Sequence, residues 1–245
     1  MKFLTSILSK AGGRKENQDH CDYLVSDHGA CWVLADGLGG HRGGEVASRL
    51  AVENTLGSFR PEPEISSAAL KKHIQTAQDA IIHHQEEDPR LFFMRTTVVI
   101  LITDFQSVLW AHIGDSRLCH FRSGRIIFQT EDHSVPQAMA NAGDITPEEI
   151  RFHEDRNRLL RTLGKEDDLR PVIREEPSPL QNSDTFLLCT DGFWEYVTET
   201  EMEVDLAKSY NPQEWLEKME TRILERARKD HDNYSAIGIS VSAPE

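Results

Sequence analysis

The sequence predicts an α+β fold, in which antiparallel strands and amphipathic helices occupy separate stretches of the chain. Four β-rich runs at 96–103, 107–113, 117–122 and 125–130 are joined by turns of only a few residues. Because such short loops cannot carry the crossover that parallel strands need, we expect these runs to form one antiparallel meander. Helical periodicity is confined to other stretches, which is typical of the α+β class.

A predicted β-hairpin opens the chain. Residues 10–20 are polar, and their simplest interpretation is a solvated loop. Predicted strands at 21–26 and 30–35 follow, and the short turn between them indicates that they pair. Asp19 and Asp36 would then lie near the same end of the hairpin.

Two helices are predicted next, at 45–59 and 65–87, with prolines breaking the chain between them. Their apolar residues at helical spacing are Val46, Leu50 and Leu56 in the first helix, and Leu70, Ile74, Ala77 and Ile81 in the second. Two amphipathic helices of this kind form a layer over a sheet.

The segment 131–164 differs from its surroundings because it is long and poor in apolar residues. A short helix is predicted at 135–142. A second helix is predicted to start at Thr146, where an N-cap Thr, Pro147 and acidic residues combine. An insertion of this kind is typical of a flap, which we place at about 134–158.

The last third of the chain returns to strands and helices. Strands are predicted at 172–174, 185–190 and 234–241, and helices at 199–209 and 211–229. The second helix is expected to direct four apolar residues inward: Trp215, Met219, Ile223 and Leu224.

Composition argues against several classes of protein. The net charge of −14, from 27 basic and 41 acidic residues, disfavours nucleic-acid binding, because that binding is driven by Lys and Arg. No run approaches the ~18 apolar residues of a membrane span, and the N-terminus lacks the pattern of a signal peptide. The four cysteines contain no CxxC pair, which favours reduced core residues over disulfides or zinc ligands. We therefore expect one cytoplasmic domain over residues 1–245.

Five aspartates lie at or near the ends of predicted strands: Asp19, Asp36, Asp115, Asp191 and Asp232. A single Asp-Gly pair is also the commonest hairpin turn, so only the whole set carries weight. If these strands share a sheet edge, the carboxylates converge and raise one another's pKa unless a cation lies between them. A site of oxygen ligands suits Mg²⁺ or Mn²⁺.

Seven motifs then point to one family. In chain order they are RKENQD, LADGLGGHRGGEVAS, HIGDSR, EDHS, RTLG, CTDGFWEYV and DNYSAI. The series resembles that of the metal-dependent serine/threonine protein phosphatases of the 2C type, in their bacterial single-domain form. The resemblance implies a four-layer α-β-β-α sandwich of two antiparallel sheets, with two Mn²⁺ or Mg²⁺ ions and a third, weaker one at one end.

The resemblance also implies roles for individual residues. Asp36 is expected to bridge both ions, with the Gly37 carbonyl as a further ligand. Asp191 and Asp232 are expected to hold the first ion together with Asp36. Asp115 is expected to bind the third ion, shared with Asp191.

Three further roles follow from the same resemblance. Asp19 would orient metal-bound water, Arg14 would bind the phosphate with its planar donor fork, and Glu195 would approach the third ion. The implied reaction is hydrolysis of phosphoserine and phosphothreonine by a hydroxide that bridges two ions, without a covalent phosphoenzyme.

The chain departs from the family pattern in a few positions. Gln18 stands where many relatives have Glu, which we expect to tune activity. Leu38 stands where eukaryotic members carry a His as proposed general acid, so protonation of the leaving group would fall to a metal-bound water. His41 cannot be assigned that role by motif and is expected to stabilise the turn. Ser235 replaces a usual Thr and keeps the hydroxyl.

Two alternatives to a phosphatase stay open. One is a pseudophosphatase that binds phosphoproteins without turnover, although no metal aspartate is missing. The other is a two-metal phosphodiesterase or nuclease, although such sites are rich in His and the acidic surface suits nucleic acid poorly.

The expected partners are phosphorylated proteins and a cognate serine/threonine kinase of the eukaryotic type, with the chain acting as a monomer. Short stand-alone members of the family also accompany type VI secretion, where the substrate is a forkhead-associated protein.

Overall fold

The computed structural model describes residues 1–39, 43–166 and 169–243. Across these residues the strands form two antiparallel sheets that pack face to face, and helices cover their outer sides. The predicted α+β class and the α-β-β-α layering are therefore confirmed.

The strands are β1 (Lys2–Lys10), β2 (Asp19–Val25), β3 (Ala30–Leu38), β4 (Arg95–Thr96), β5 (Val98–Thr103), β6 (Ser107–Ile113), β7 (Arg117–Arg122), β8 (Arg125–Gln129), β9 (Val172–Ile173), β10 (Ser178–Pro179), β11 (Thr185–Cys189) and β12 (Tyr234–Ser242). The helices are α1 (Gly43–Phe59), α2 (Ser67–Glu87), α3 (Val135–Ala142), α4 (Asp191–Trp194), α5 (Glu199–Ala207) and α6 (Pro212–Arg226). Two 3₁₀ helices span Pro89–Leu91 and Pro147–Phe152.

The first sheet has the strand order β1-β12-β11-β7-β8, and the second has the order β10-β6-β5-β3-β2. The short strands β4 and β9 pair with β3 and β6. Helices α1 and α2 pack against the second sheet, whereas α5 and α6 cover the first.

Strand β3 shows how the sequence produces this layering. Trp32 and Leu34 face the opposite sheet, while Cys31 and Val33 face the helices α1 and α2. Because both faces of the strand are covered, it is apolar throughout instead of alternating between apolar and polar residues.

The predicted four-stranded meander is wrong at its centre. β5 and β6 pair in the second sheet, whereas β7 and β8 pair in the first, so the chain crosses between the sheets at residues 114–116. Gly114 has φ +105° there, and a Cβ atom on it would lie 2.5 Å from the Thr97 side chain. Only glycine fits this crossing, which places Asp115 between the two sheets.

No strand is predicted at the N-terminus, and two further predictions are corrected. Lys2–Lys10 form β1, an edge strand paired with β12 along its whole length, and its exposed Leu4 and Ile7 explain why no clear alternation marks it. The helix predicted from Thr146 is a short 3₁₀ helix. Leu224 is 62% exposed and does not face inward as Trp215, Met219 and Ile223 do, and α6 ends at Arg226 and not at residue 229.

Candidate active site

The β2–β3 hairpin brings the first two candidate carboxylates together. Asp19 and Asp36 are register partners across this antiparallel pair. The backbone of Asp36 is held from the other side, since its N–H donates to the Thr97 hydroxyl at 3.0 Å and its carbonyl accepts from the Thr97 N–H at 2.9 Å. Asp36 thus lies inside β3, two residues before its end, and not after it as predicted.

The remaining aspartates come from both sheets. Asp115 lies in the crossing between them, and Asp191 is the first residue of α4, directly after β11. The Trp194 indole N–H donates to the Asp115 carbonyl at 2.9 Å, which ties the crossing to α4. Asp232 lies two residues before β12.

These residues line one cavity of about 490 Å³. Its walls include the predicted metal residues Asp36, Gly37, Asp115, Asp191 and Asp232, together with Arg14. Asp19 lies behind this wall and is buried. The structure therefore brings the predicted site residues together at one end of the sandwich.

Burial and like charges dominate the electrostatics of the cavity. Burial, and then the neighbouring Asp19 and Asp191 charges, raise the pKa of Asp36 well above its usual range. Burial likewise raises the pKa of Asp191, with the Asp115 charge as the next contribution. The pKa values of Asp19 and Asp115 are raised to about 7, in both cases mainly by burial. Such a cluster favours a positive charge among the carboxylates.

The donor set fits a hard divalent cation. The Oδ1 atoms of Asp19 and Asp115 are buried and have no hydrogen-bond partner in the structure. Carboxylate and carbonyl oxygens are the ligands that Mg²⁺ and Mn²⁺ prefer. In the described part of the chain, however, no three His, Cys, Asp or Glu side chains already stand in an arrangement that could hold a metal ion.

Two of the carboxylates have other partners. Asp232 Oδ2 accepts from Arg14 Nη2 at 2.9 Å, and Asp191 Oδ1 accepts from the Gly192 N–H. Arg14 thus contacts Asp232 and not its sequence neighbour Asp19, and both partners of this ion pair are about half exposed at the cavity mouth. The chemistry of the site therefore suits a cation, and ligation requires these side chains to change partners.

The sequence did not indicate the groups that hold Asp19 in place. The Thr190 hydroxyl donates to Asp19 Oδ2 at 3.0 Å and accepts from the Ser235 N–H at 3.0 Å. The Ser235 hydroxyl also helps to lower the pKa of Asp19 against the effect of burial. For Thr190 the available signal was its position next to Asp191. For Ser235 the motif indicated a hydroxyl but not its contact with Asp19.

The Asn233 side chain fixes the path of the polar segment 10–20, for which the sequence predicts a solvated loop. Its side chain donates to the carbonyls of Ala11 and Glu16, and accepts from the Gln18 N–H at 2.8 Å. The segment therefore follows a defined path along the cavity wall, to which Gln18 and Lys15 also contribute.

The segment predicted as a flap is anchored on the end of α4 and the start of α5. Arg156 binds Glu195 at 2.5 Å, and Arg151 binds the Glu199 carboxylate at 2.9 Å. Burial raises the pKa of Glu195, as it does for the aspartates of the cavity, but the ion pair with Arg156 means that this carboxylate is not a free ligand in this arrangement. Asn157 lines the cavity, so the segment borders the site directly.

Leu38 lines the cavity. It stands at the motif position where eukaryotic members of the resembled family carry a histidine. An aliphatic side chain cannot donate a proton. The other candidate, His41, lies outside the described residues, as does Gly40 of the same turn.

Comparison with known proteins gives a consistent result. A family model described as protein phosphatase 2C matches residues 9–233. The chain is 35% identical over 203 residues to a serine/threonine phosphatase stp of Listeria welshimeri, which covers 81% of this chain and 76% of that protein.

Two solved structures add to this. A PstP catalytic domain in complex with two manganese ions superposes with a TM-score of 0.83 and 27% identity, covering 98% of this chain and 99% of that one. PppA of Pseudomonas aeruginosa, described as a key regulatory component of T6SS, has a TM-score of 0.77 and 25% identity, with the same coverage.

Proposed function

Because this chain belongs to the protein phosphatase 2C family, we propose that its acidic cavity is where it removes phosphate from phosphoserine and phosphothreonine of proteins. The predicted enzyme class, a protein serine/threonine phosphatase, is confirmed by its family and relatives. The observation that carries the placement of the site is the group of aspartates at one cavity, two of which, Asp19 and Asp115, are buried and each have an unpartnered oxygen.

The proposed ligands are those expected from the resemblance. Asp36 would contact both ions, with the Gly37 carbonyl beside it, and Asp191 and Asp232 would complete the site of the first ion. Asp115 would hold a third ion. Divalent cations, when bound, activate water as a nucleophile and neutralise the phosphoryl oxygens.

Arg14 is the proposed phosphate-binding residue. Its guanidinium lies at the cavity mouth and is bound to Asp232. Since ion pairs between half-exposed groups are worth only about 0–1 kcal/mol, Arg14 can exchange this carboxylate for a phosphate at little cost. The exchange would release Asp232 to bind a cation, so that substrate and metal binding favour each other.

Asp19 is proposed to orient the attacking water. The Thr190 hydroxyl holds one of its oxygens and leaves Oδ1 free. This arrangement keeps one acceptor available and restricts the rotation of the carboxylate, which suits a residue that must align a water with phosphorus.

Substrates and partners are proposed at a coarser level. A bacterial serine/threonine kinase of the eukaryotic type would supply the phosphorylated proteins. The likeness to PppA supports a role beside T6SS as a narrower proposal. No helix in the described part of the chain is long and apolar enough to cross a membrane. The cytoplasmic location and monomeric state stay predictions.

The test measures hydrolysis of a phosphothreonine peptide with Mn²⁺ and with EDTA, together with calorimetric binding of Mn²⁺. We expect Mn²⁺-dependent turnover by the parent protein, and neither turnover nor tight Mn²⁺ binding by Asp191→Ala. Turnover that survives in Asp191→Ala would contradict the proposed site. Binding of the peptide by the parent protein without turnover would favour the pseudophosphatase alternative. Cleavage of a phosphodiester would favour the phosphodiesterase or nuclease alternative.

A further inference from the structure

Two phenylalanine side chains lie exposed beside the acidic cavity. Phe92 and Phe93 follow the 3₁₀ helix Pro89–Leu91 and pack edge to face, with ring centroids 5.0 Å apart. Phe92 is 56% exposed and Phe93 is 75% exposed. Single exposed apolar residues are normal on protein surfaces, but an adjacent aromatic pair forms a contiguous apolar patch of the kind that marks a contact site.

Backbone pairing places this patch next to the cavity. Leu38 pairs with Arg95 in the β3–β4 ladder, and Leu38 and Gly39 both line the cavity. A Cβ atom on Gly39 would lie 3.0 Å from the carbonyl oxygen of Phe93. Phe93 is therefore separated from the cavity wall by a single backbone contact.

Hydrogen bonds and burial fix the backbone that carries the two rings. Met94 is buried in the core, and its carbonyl accepts from the Gln85 side chain at 2.8 Å. The Arg95 guanidinium donates to the carbonyl of Phe92 at 3.1 Å. A surface that is ordered in advance binds a partner at a lower entropic cost.

We propose that Phe92 and Phe93 form a docking surface for the phosphoprotein substrate and bind an apolar side chain close to the phosphorylated serine or threonine. This proposal rests on the proposed function, because it requires the phosphate to enter the acidic cavity. The cavity wall itself carries Arg14 and Lys15, whose charges suit the phosphate and not an apolar side chain.

The geometry of an extended chain defines which substrate residues can reach the patch. With the phosphate inside the cavity, the substrate main chain stays at its mouth and advances by about 3.3–3.6 Å per residue. Residues within about three positions of the phosphorylated one therefore lie within roughly 10 Å of the mouth. The occupant of the patch is thus a flanking side chain of the substrate itself.

The test compares two phosphothreonine peptides that differ only at the flanking positions, with Leu in one and Ser in the other. Para-nitrophenyl phosphate serves as a substrate too small to reach the patch. For the parent protein we expect kcat/KM to be about tenfold higher with the Leu peptide, which corresponds to burial of most of one aliphatic side chain.

The double variant Phe92→Ser, Phe93→Ser should lose this preference through a higher KM for the Leu peptide. Its kinetics with para-nitrophenyl phosphate should not change. The variant Phe93→Leu should keep the preference, because it keeps an apolar surface. Tyr210→Ser is the matched control: Tyr210 is 97% exposed, but it borders a different cavity at the far end of β12 and should have no effect.

Equal kcat/KM for the two peptides, or an equal loss on all three substrates in the double variant, would overturn the docking proposal while leaving the phosphatase site intact. Failure of the parent protein to hydrolyse any of the three substrates with Mn²⁺ would instead overturn the proposed function on which the docking proposal rests.

Discussion

Asp19→Asn is expected to stabilise the cation-free protein while it removes most of the phosphatase activity. Asp19 is buried, and its Oδ1 atom has no hydrogen-bond partner. Burial, and to a smaller extent the charge of Asp232, raise the pKa of this carboxyl from 3.8 to about 7 against the lowering effect of nearby hydroxyls. An amide of nearly the same shape carries no charge, so the variant avoids the cost of ionising a buried group.

The pKa difference gives the size of the effect. One pKa unit corresponds to about 1.36 kcal/mol, so the rise from 3.8 to about 7 amounts to about 4 kcal/mol once the carboxyl is ionised in both states. Because the pKa is higher in the folded state, the group costs no stability below pH 3.8, and its cost grows as the pH rises towards 7. Relaxation of the site reduces this value, and we expect the variant to be about 2–4 kcal/mol more stable at pH 8.

The assay is urea unfolding in EDTA at pH 8 and at pH 3.5, repeated with Mn²⁺ at pH 8. Mn²⁺ should stabilise the parent protein more than Asp19→Asn, because the variant lacks a negative charge beside the cation and should bind it more weakly. The stability that a ligand of the folded state adds rises with the logarithm of its concentration divided by Kd. Turnover of a phosphothreonine peptide is measured in parallel.

Asp184→Asn is the matched control. Asp184 is also buried, which by itself raises its pKa. Hydrogen bonds from Arg122 at 2.8 and 2.9 Å and from the Gln181 N–H, together with the charges of His120 and Arg122, outweigh burial and keep the pKa below the usual range. Removing this charge should therefore destabilise the protein at pH 8. A loss of stability in Asp19→Asn under the same conditions, or full activity of that variant, would refute the reasoning.

Two further predictions concern a closely packed glycine and a buried histidine. Gly37→Ala should cost about 1–3 kcal/mol in urea unfolding or prevent folding, because the new Cβ atom would lie 2.0 Å from the carbonyl oxygen of Gly44. Gly57→Ala is the control, because no atom lies within 4 Å of the new Cβ, and its free energy of unfolding should rise by up to about 1 kcal/mol. An equal loss of stability in both variants would contradict the close-packing argument. Burial lowers the pKa of His73 from 6.5 to about 4, so the folded protein favours the neutral imidazole. The stability that this gives is fully present above pH 6.5 and should be lost as the pH falls through 4, which lowers the free energy of unfolding by up to about 3 kcal/mol. Urea midpoints across this range should show a smaller slope in His73→Gln, and an unchanged slope would assign the pH dependence to other groups.

Much of the candidate site could be predicted because its signals are local. An apolar run that ends in Asp-Gly and a glycine-rich turn is visible at Asp36 without knowledge of any partner. The hairpin turn after residue 25 then determines that Asp19 faces Asp36 across the ladder, since register follows from the turn.

The crossing at Gly114 shows where such reasoning ends. The strands on either side of it are short, apolar and joined by a tight turn, as in any hairpin. The spacing of apolar residues indicates that a strand is buried, but it does not indicate to which sheet the strand belongs. The side chain of Thr97 across the crossing requires a glycine here, and it is 17 residues away along the chain.

The order of the motifs, and the separation of β-rich runs from helical stretches along the chain, by themselves determined the fold class, the enzyme family and the list of candidate ligands. Only the tertiary structure decided that Arg14 pairs with Asp232, that Thr190 holds Asp19 and that Asn233 orders the polar N-terminal segment. Each of these contacts joins residues more than 170 positions apart. A hydrogen bond depends on distance and direction in space, and the spacing of residues along the chain contains neither until the sheets have packed.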